Sequence, residues 1–288
     1  MKPTSLLFVG LLVTFSVAVA GSPPIVWTVS DNLLNPESVV YCPATGLIYV
    51  SSVNGAPTDK DNNGFISSLT PEGKFRDARW ATGLSGPKGL RCNDKLLWVA
   101  DIDTLVSIDL KTGKQVDRVE IKGAKFLNDV ALGKGDEVFV SDTITSTIHL
   151  VRGKKSTVFK SGPKLLHPNG LYVHDRHLYV AAWGKDMAPD FSTKAPGQPY
   201  HLDLGNKKQS APKGPKGNLD AIELIGKDRW ILTDWVAGKV FLWNGKSAEG
   251  EVILSGLKGA ADAGWVADKH LLIVPEMNAN SITAYQMD

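Results

Sequence analysis

The chain has 288 residues, with 32 Lys and Arg against 30 Asp and Glu, so its formal net charge is +2. No basic tail or stripe accompanies this near-neutral balance, which argues against nucleic acid as a partner. Beyond residue 20 no stretch is long and apolar enough to cross a bilayer. About 268 further residues are enough to bury a large core.

The first 20 residues have the features of a secretory signal peptide. Lys2 supplies a positive start, residues 6–17 are apolar, and Ala18-Val19-Ala20 matches an A-x-A cleavage site. The alternative, a retained membrane anchor, is disfavoured because the apolar run is short for a span. We expect cleavage after Ala20, a periplasmic or secreted mature protein of residues 21–288, and no membrane span after cleavage.

An early polar loop resembles the opening of an EF-hand. Asp59, Asp61, Asn63 and Gly64 match D-x-[DN]-x-[DN]-G. The twelfth loop position, where an EF-hand requires a bidentate Glu, is Thr70, and the flanks are strand-like rather than helical. We therefore expect a polar turn between strands, with positive φ angles at Asn63-Gly64.

One strand–turn–strand pattern then occurs six times along the chain. The second strands of the six copies are LIYVSS, LLWVAD, EVFVSD, LYVAA, RWILTD and LLIVPE. They are aromatic and β-branched, as strands prefer, and each is followed by a weaker third strand. No segment keeps a 3.6-residue apolar period, so the sequence predicts an all-β protein with few helices.

The third residue of each copy serves as a marker of the repeat. The markers are Glu37, Lys88, Asn128, Asn169, Asp220 and Asp262, with spacings of 51, 40, 41, 51 and 42 residues. Strand repeats of this length predict a six-bladed β-propeller formed by residues 21–288 as a single domain. A β-sandwich would leave six copies of one unit unexplained. The early strand over Pro24–Ser30 is expected to pair with the last blade and close the ring.

In a propeller the inner strands start near the central axis, so the six markers should gather at one end of the channel. Apart from Lys88 they are hard oxygen ligands, which suit Ca²⁺, Mg²⁺ or Mn²⁺ better than Zn²⁺. Taken singly, Asn and Asp before a strand are ordinary turn residues. Their shared register favours a metal site.

The segments NPESVVY, FLNDVAL, HPNGLYV and NLDAIEL resemble the metal-site segments of the regucalcin (senescence-marker-protein)/gluconolactonase family. These are six-bladed, calcium-dependent propellers, distantly related to paraoxonase. The resemblance covers essentially residues 21–288 and implies that Glu37, Asn128, Asn169 and Asp220 bind one divalent ion. It implies Ca²⁺, with Mg²⁺, Mn²⁺ or Zn²⁺ as substitutes. The chain departs from the family at two ligands. The family usually has E-G-P where this chain has Glu37-Ser38-Val39, and it often has P-D-G where this chain has Leu219-Asp220-Ala221.

The resemblance further implies metal-assisted hydrolysis of a small-molecule lactone or ester, with Asp220 taking a proton from the attacking water. Lys88, His167 and Asp262 are predicted to bind substrate, although Lys88 could equally balance excess carboxylate and His167 could be structural. The alternative function is a non-enzymatic propeller that binds a ligand or protein partner and keeps the ion for structure. The sequence leaves the oligomeric state open.

Three further features lie outside the marker positions. Cys42 and Cys92 hold nearly matching places in neighbouring copies, so we predict a disulfide, with two reduced thiols as the alternative. Asp101, Asp142 and Asp234 end second strands and are predicted to accept backbone hydrogen bonds rather than to catalyse. Residues 184–217 form the least regular stretch, and the part before its strand is predicted to lie over the channel mouth, as a lid or as a surface loop without a role.

Overall fold

The computed structural model describes residues 21–288, so the signal peptide predicted for residues 1–20 lies outside the described residues. The strands form six main sheets, one per blade, and a separate two-stranded hairpin. The inner strands of the six main sheets contact one another in sequence around a central channel. The predicted six-bladed β-propeller is therefore confirmed. In the part of the chain described, no helix is long and apolar enough to cross a membrane.

The strands follow one another from the channel outwards in each blade. Strand β1 is Ile25–Val29. Blade one contains β2 (Pro36–Cys42), β3 (Leu47–Ser52), β4 (Gly64–Leu69) and β5 (Phe75–Leu84). Blade two contains β6 (Pro87–Cys92), β7 (Leu96–Asp101), β8 (Thr104–Asp109) and β9 (Gln115–Glu120). Blade three contains β10 (Leu127–Leu132), β11 (Glu137–Asp142), β12 (Thr147–Arg152) and β13 (Lys155–Ser161).

The last three blades are less regular. Blade four contains β14 (Pro168–His174), β15 (His177–Ala182) and β18 (Tyr200–Asp203), with a separate hairpin of β16 (Gly184–Lys185) and β17 (Ala195–Pro196). Blade five contains β19 (Leu219–Gly226), β20 (Arg229–Asp234), β21 (Lys239–Trp243) and β22 (Glu251–Leu254). Blade six contains β23 (Gly264–Val266), β24 (Leu271–Glu276) and β25 (Ser281–Gln286). Short 3₁₀ turns occur at Pro163–Leu165, Ala267–Lys269 and Met277–Ala279.

The ring closes as the sequence predicts. Strand β1 pairs antiparallel with β25, so the first strand of the described chain becomes the outer strand of blade six. On the inner side, the Asp262 amide donates to the Glu37 carbonyl at 2.8 Å and the Val39 amide donates to the Asp262 carbonyl at 3.1 Å. Joining both ends of the chain in one blade leaves no open gap between blades six and one.

The core lies between neighbouring blades rather than within one sheet. Val40 and Tyr49 of blade one pack with Leu90 and Val99 of blade two in one buried cluster, and equivalent clusters join the other blades. Both faces of the second strands are therefore covered, which explains why the middle residues of these strands are mostly apolar rather than alternating.

A shared irregularity positions the marker residues. In blades one to five the residue before the marker pairs with the second strand of the blade. The register then shifts, and pairing resumes three residues after that first pair. In blade three, for example, Leu127 pairs with Asp142 and Val130 pairs with Val140. A bulge re-aims the side chain that it carries. The repeat thus places five markers on five equivalent bulges around the axis.

Hydroxyls of the second strands hold these bulges. Ser141 Oγ accepts the Asp129 amide at 2.9 Å and donates to the Asn169 carbonyl of the next blade at 2.7 Å. Thr233 Oγ1 likewise accepts the Ala221 amide and donates to the Ala261 carbonyl. In each case one hydroxyl accepts the backbone amide of a bulge and links that inner strand to the next blade.

The structure joins Cys42 and Cys92, at the ends of β2 and β6, in a disulfide with Cα atoms 6.0 Å apart. The aspartates that end second strands accept backbone hydrogen bonds, as predicted: Asp101 accepts from Ser85 and Gly86, and Asp142 from Lys125.

The early polar loop is a turn between β3 and β4, as predicted, and no helix flanks it. Asp61 Oδ1 accepts the Asn63 amide at 3.2 Å. The expected place of the positive φ was wrong: Asn62 adopts it (φ 59°), whereas Asn63 and Gly64 do not. The strand begins at Gly64 itself, which forces the left-handed residue to an earlier position.

Candidate metal centre

The first residues of the inner strands meet at one end of the channel, which we call the upper end. Five of the six markers line a single cavity there of about 210 Å³: Glu37, Lys88, Asn128, Asn169 and Asp220. All five side chains are buried, with at most 5% of their surface exposed. The bulges therefore bring together the four predicted metal ligands and the predicted substrate-binding lysine.

Three of the four predicted ligands carry oxygens that the rest of the protein leaves unsatisfied. Within residues 21–288, Glu37 Oε2, Asn169 Oδ1 and Asp220 Oδ1 are buried and have no hydrogen-bond partner. Buried polar groups are almost always paired, because an unpaired one costs its full desolvation free energy. Three such oxygens around one cavity form a site that can accept a cation or hydrogen-bond donors.

The electrostatics of the two carboxylates agree with this description. Burial raises the pKa of Glu37 well above its usual range, and the charges of Asp220 and Asp262 raise it further. Burial also raises the pKa of Asp220 to about 8, with a further contribution from Asp129, while the Asn169 amide opposes the shift. A divalent cation between the carboxylates would reverse these shifts, since an opposite charge favours the ionised form.

The donor set fits a hard divalent cation. Two carboxylates and two amide oxygens, with room for waters, match the oxygen shell of Ca²⁺. Among the described residues no three His, Cys, Asp or Glu side chains form a metal-binding cluster. The absence of sulfur and imidazole from the set makes it a poor match to zinc.

Lys88 shares the cavity but is held by the backbone. Its Nζ donates to the carbonyls of Gly86 and Pro57 at 2.9 and 3.0 Å, and lies 4.3 Å from the centre of the Phe126 ring. Burial lowers the pKa of Lys88 to about 8, against the opposing charge of Glu37. The ammonium is thus fixed at the wall of the cavity by neutral partners.

The two other predicted substrate-binding residues lie elsewhere. Asp262 does not line the upper cavity; it accepts a hydrogen bond of 2.6 Å from Ser38 Oγ at the closure of the ring. Both ring nitrogens of His167 have backbone partners, Nδ1 with the Thr143 carbonyl at 2.8 Å and Nε2 with the Met187 amide at 3.3 Å. The structure gives these two side chains structural contacts, and their role in substrate binding has no geometric support.

Charged residues that the sequence reading missed occupy the opposite, lower end of the channel, where the inner strands finish. Arg91 donates to Glu223 at 2.9 Å, and its guanidinium lies 4.0 Å from Asp129. A cavity of about 250 Å³ opens beside the Arg91–Glu223 pair. Burial raises the pKa of Asp129 to about 6, while Arg91 and two backbone amides oppose the shift. The sequence feature that could have identified these residues is a charged side chain among apolar ones in an inner strand, Arg91 in GLRC and Glu223 in LDAIEL.

The opening of the upper cavity is apolar, which the sequence reading also missed. We call this surface the apolar wall; it consists of Pro57, Phe126, Trp183, Phe191, Trp235 and Met277. Phe191 lies at the tip of the hairpin formed by β16 and β17, so the start of the irregular segment does lie over the mouth.

Comparison with known proteins supports the fold and leaves the family open. No family model and no curated protein matches the chain. Among solved structures, an inactive variant of virginiamycin B lyase from Staphylococcus aureus with quinupristin is similar at 12% identity and a TM-score of 0.60, covering 91% of this chain and 98% of that one. A streptogramin B lyase is similar to the same degree, with 96% of its chain covered. At this identity the likeness shows a shared propeller fold, and the regucalcin/gluconolactonase resemblance stays a prediction.

Proposed function

We propose that the protein is a calcium-dependent hydrolase that cleaves a lactone or another ester in the upper cavity. The observation that carries the proposal is the group of unsatisfied buried oxygens on Glu37, Asn169 and Asp220, found within the described part of the chain. Two fold neighbours are named as lyases, which agrees with catalysis on this architecture but does not identify the bond that is cleaved.

Glu37, Asn128, Asn169 and Asp220 would hold the ion, and the two acids would balance its two positive charges. A divalent ion bound there would polarise the carbonyl of an ester in the cavity. The remaining steps belong to the residues of the chain. A carboxylate has about four acceptor positions, so Asp220 can be a ligand and still accept a proton from the attacking water.

The proton balance of the reaction follows from these roles. The oxygen of water bonds to the ester carbonyl carbon while Asp220 takes its proton, the ester C–O bond then breaks, and the alcohol leaves with that proton. The ammonium of Lys88 has three donors and two are occupied by carbonyls. We infer that its third donor holds an oxygen of the substrate.

The proposal is tested with chelator-treated protein and a panel of sugar lactones, alkyl lactones, aryl esters and phosphotriesters, each assayed with calcium and with chelator. We expect hydrolysis with calcium only, and ¹⁸O from labelled water in the acid product. Elimination, the reaction of a lyase, would give product without the label. Tight calcium binding without turnover of any substrate would instead support the alternative, a binding propeller with a structural ion.

A further inference from the structure

The upper cavity has two layers of opposite chemistry. Its floor carries the unsatisfied oxygens, whereas its rim is the apolar wall of aromatic rings, a proline and a methionine. Such a wall next to a hydrophilic site raises the question of which part of a ligand it contacts.

Three residues of the wall occupy equivalent positions in the repeat, so the propeller fold determines where they lie. Trp183, Trp235 and Met277 each follow directly after the second strand of their blade, in blades four, five and six. The rings of Trp183 and Trp235 lie 6.2 Å apart between centres. Equivalent positions in neighbouring blades thus place three large apolar side chains along one side of the opening.

The hairpin of blade four completes the wall from above. Trp183 Nε1 donates to the Phe191 carbonyl at 2.8 Å, and the Phe191 ring lies 5.2 Å from the ring of Phe126. Phe191 has a φ of 63°, in the left-handed region that a residue with a bulky side chain rarely adopts. The turn therefore holds an unfavourable backbone conformation that places an aromatic ring over the opening.

Of the two polar side chains along the wall, Thr143 is engaged through its hydroxyl and Asp190 through one carboxylate oxygen. Thr143 Oγ1 donates to the Pro168 carbonyl at 2.9 Å. Asp190 Oδ1 accepts the amide and the hydroxyl of Ser192 at 3.0 and 2.6 Å, which closes the turn beside Phe191. A ligand with many hydroxyls would lose its water here and gain few hydrogen bonds in return, which is costly.

We propose that the apolar wall binds the hydrocarbon part of the substrate, so that the preferred substrate is an alkyl- or aryl-substituted lactone or ester rather than a sugar lactone. The ester group faces the oxygen-lined floor and the hydrocarbon contacts Phe126, Trp183 and Phe191. The choice of an ester rests on the proposed function. The binding of hydrocarbon by the wall does not.

The first test is a series of δ-lactones with unbranched side chains from methyl to hexyl, compared with glucono-δ-lactone, which has the same ring. We expect kcat/KM to rise about fourfold for each methylene until the wall is filled, and the sugar lactone to be the poorest substrate. A faster reaction of the sugar lactone, or equal rates along the series, would overturn the proposal.

The second test removes the ring at the tip of the hairpin. Phe191→Asn keeps a residue that tolerates a left-handed conformation, so the turn can persist without its aromatic side chain. We expect about a tenfold loss of kcat/KM for the hexyl lactone and little change for the methyl lactone. The control is Lys207→Asn, at another left-handed position (φ 59°) of the 184–217 segment, which is exposed and does not line the cavity. Equal loss for both lactones in Phe191→Asn would contradict the assignment.

A binding measurement separates failure of this inference from failure of the proposed function. The probes are 2-hexylcyclohexanone and cyclohexanone, which have no ester to cleave. Their binding is followed by the tryptophan fluorescence of the protein, to which Trp183 and Trp235 at the wall contribute. Saturable binding of the hexyl compound at least tenfold tighter than that of the parent, weakened in Phe191→Asn, would support the wall even if no lactone were hydrolysed. Equal binding of both ketones would overturn it even if the protein were a hydrolase.

Discussion

The two ends of the channel both bury acidic side chains, but they compensate them differently. At the lower end the guanidinium of Arg91 donates to Glu223 at 2.9 Å and lies 4.0 Å from Asp129, which follows Asn128 in β10. At the upper end, within the described chain, Glu37 and Asp220 keep oxygens without a hydrogen-bond partner. Within the described chain, the acid at the lower end is thus paired with an arginine, whereas two carboxylate oxygens at the upper end have no partner.

The two ends differ in whether a basic side chain pairs with the buried acids. Buried acids are tolerated when a cation or several donors accompany them. Lys88 could have served the upper end as Arg91 serves the lower, yet its Nζ contacts the Gly86 and Pro57 carbonyls at 2.9 and 3.0 Å. We propose that a divalent cation completes the oxygens of the upper end.

The largest expected effect is on the lower end. Arg91→Met leaves the buried Asp129 and the half-buried Glu223 with no opposite charge, so the free energy of unfolding should fall by about 3–5 kcal/mol. Chemical denaturation measures the change. Arg152→Met is the matched control, because Arg152 pairs with Glu137 near the surface, and its loss should cost less than about 1 kcal/mol. Similar costs for both arginines would mean that the lower pair is not a buried one.

Removal of the disulfide comes next, because Cys92 also lines the lower cavity. The bond closes a loop across a separation of 50 residues. Cys42→Ala combined with Cys92→Ala should lower the free energy of unfolding by about 3–4 kcal/mol in the chain-entropy model. Calcium affinity should stay the same, since the upper end is untouched. A large loss of calcium affinity would show that the two ends are coupled.

Asp220→Asn tests the proposed role of Asp220 as the base at the upper end. The substitution keeps an oxygen and nearly the same shape but removes a charge and a proton acceptor. Hydrolysis at saturating calcium should fall about 10²-fold or more. Asp262→Asn serves as the comparison and should lose less, because Asp262 does not line the cavity. An equal loss in both would mean that the total charge of the ring matters rather than a specific base.

The pH dependence of the protein's stability should report on Asp220 at the upper end. The pKa of Asp220 is raised from 3.8 to about 8 by burial and by Asp129. A raised carboxyl pKa favours folding fully below pH 3.8, and this contribution is lost as the pH rises to about 8. Calcium-free protein should therefore become less stable between pH 4 and pH 8, which thermal unfolding in chelator can follow.

Calcium affinity should show the opposite trend, because the ion displaces the same proton. Below pH 8 it should weaken by about tenfold per pH unit for one displaced proton. Asp220→Asn should flatten both profiles. Profiles that stay the same in the variant would assign the titration to another group.

The repeat allowed much of this to be predicted from the sequence. The period of the strand pairs predicts the six blades, and the register of Glu37, Asn128, Asn169 and Asp220 predicts which side chains share a cavity. The pairing of β1 with β25 was predicted as well, because a propeller has to close. These features depend on a pattern that recurs along the chain.

Features that depend on one pair of residues were harder to find. Arg91 and Glu223 are 132 residues apart and belong to different blades, so no local pattern joins them. The apolar wall was missed although its signal was present, since Trp183, Trp235 and Met277 share the position after the second strand. Phe191 could not be placed, because the path of the hairpin depends on its bond to Trp183.

The central claim is that the upper end binds one divalent cation, and a calorimetric titration of chelator-treated protein with calcium tests it most directly. We expect one ion per chain, release of protons at pH 7, and an increase in the melting temperature that grows with calcium concentration. Glu37→Gln should weaken binding by at least tenfold, whereas the lower-end variant Cys42→Ala/Cys92→Ala should bind as the unmodified protein does. The absence of saturable binding, or binding that Glu37→Gln leaves unchanged, would contradict the account.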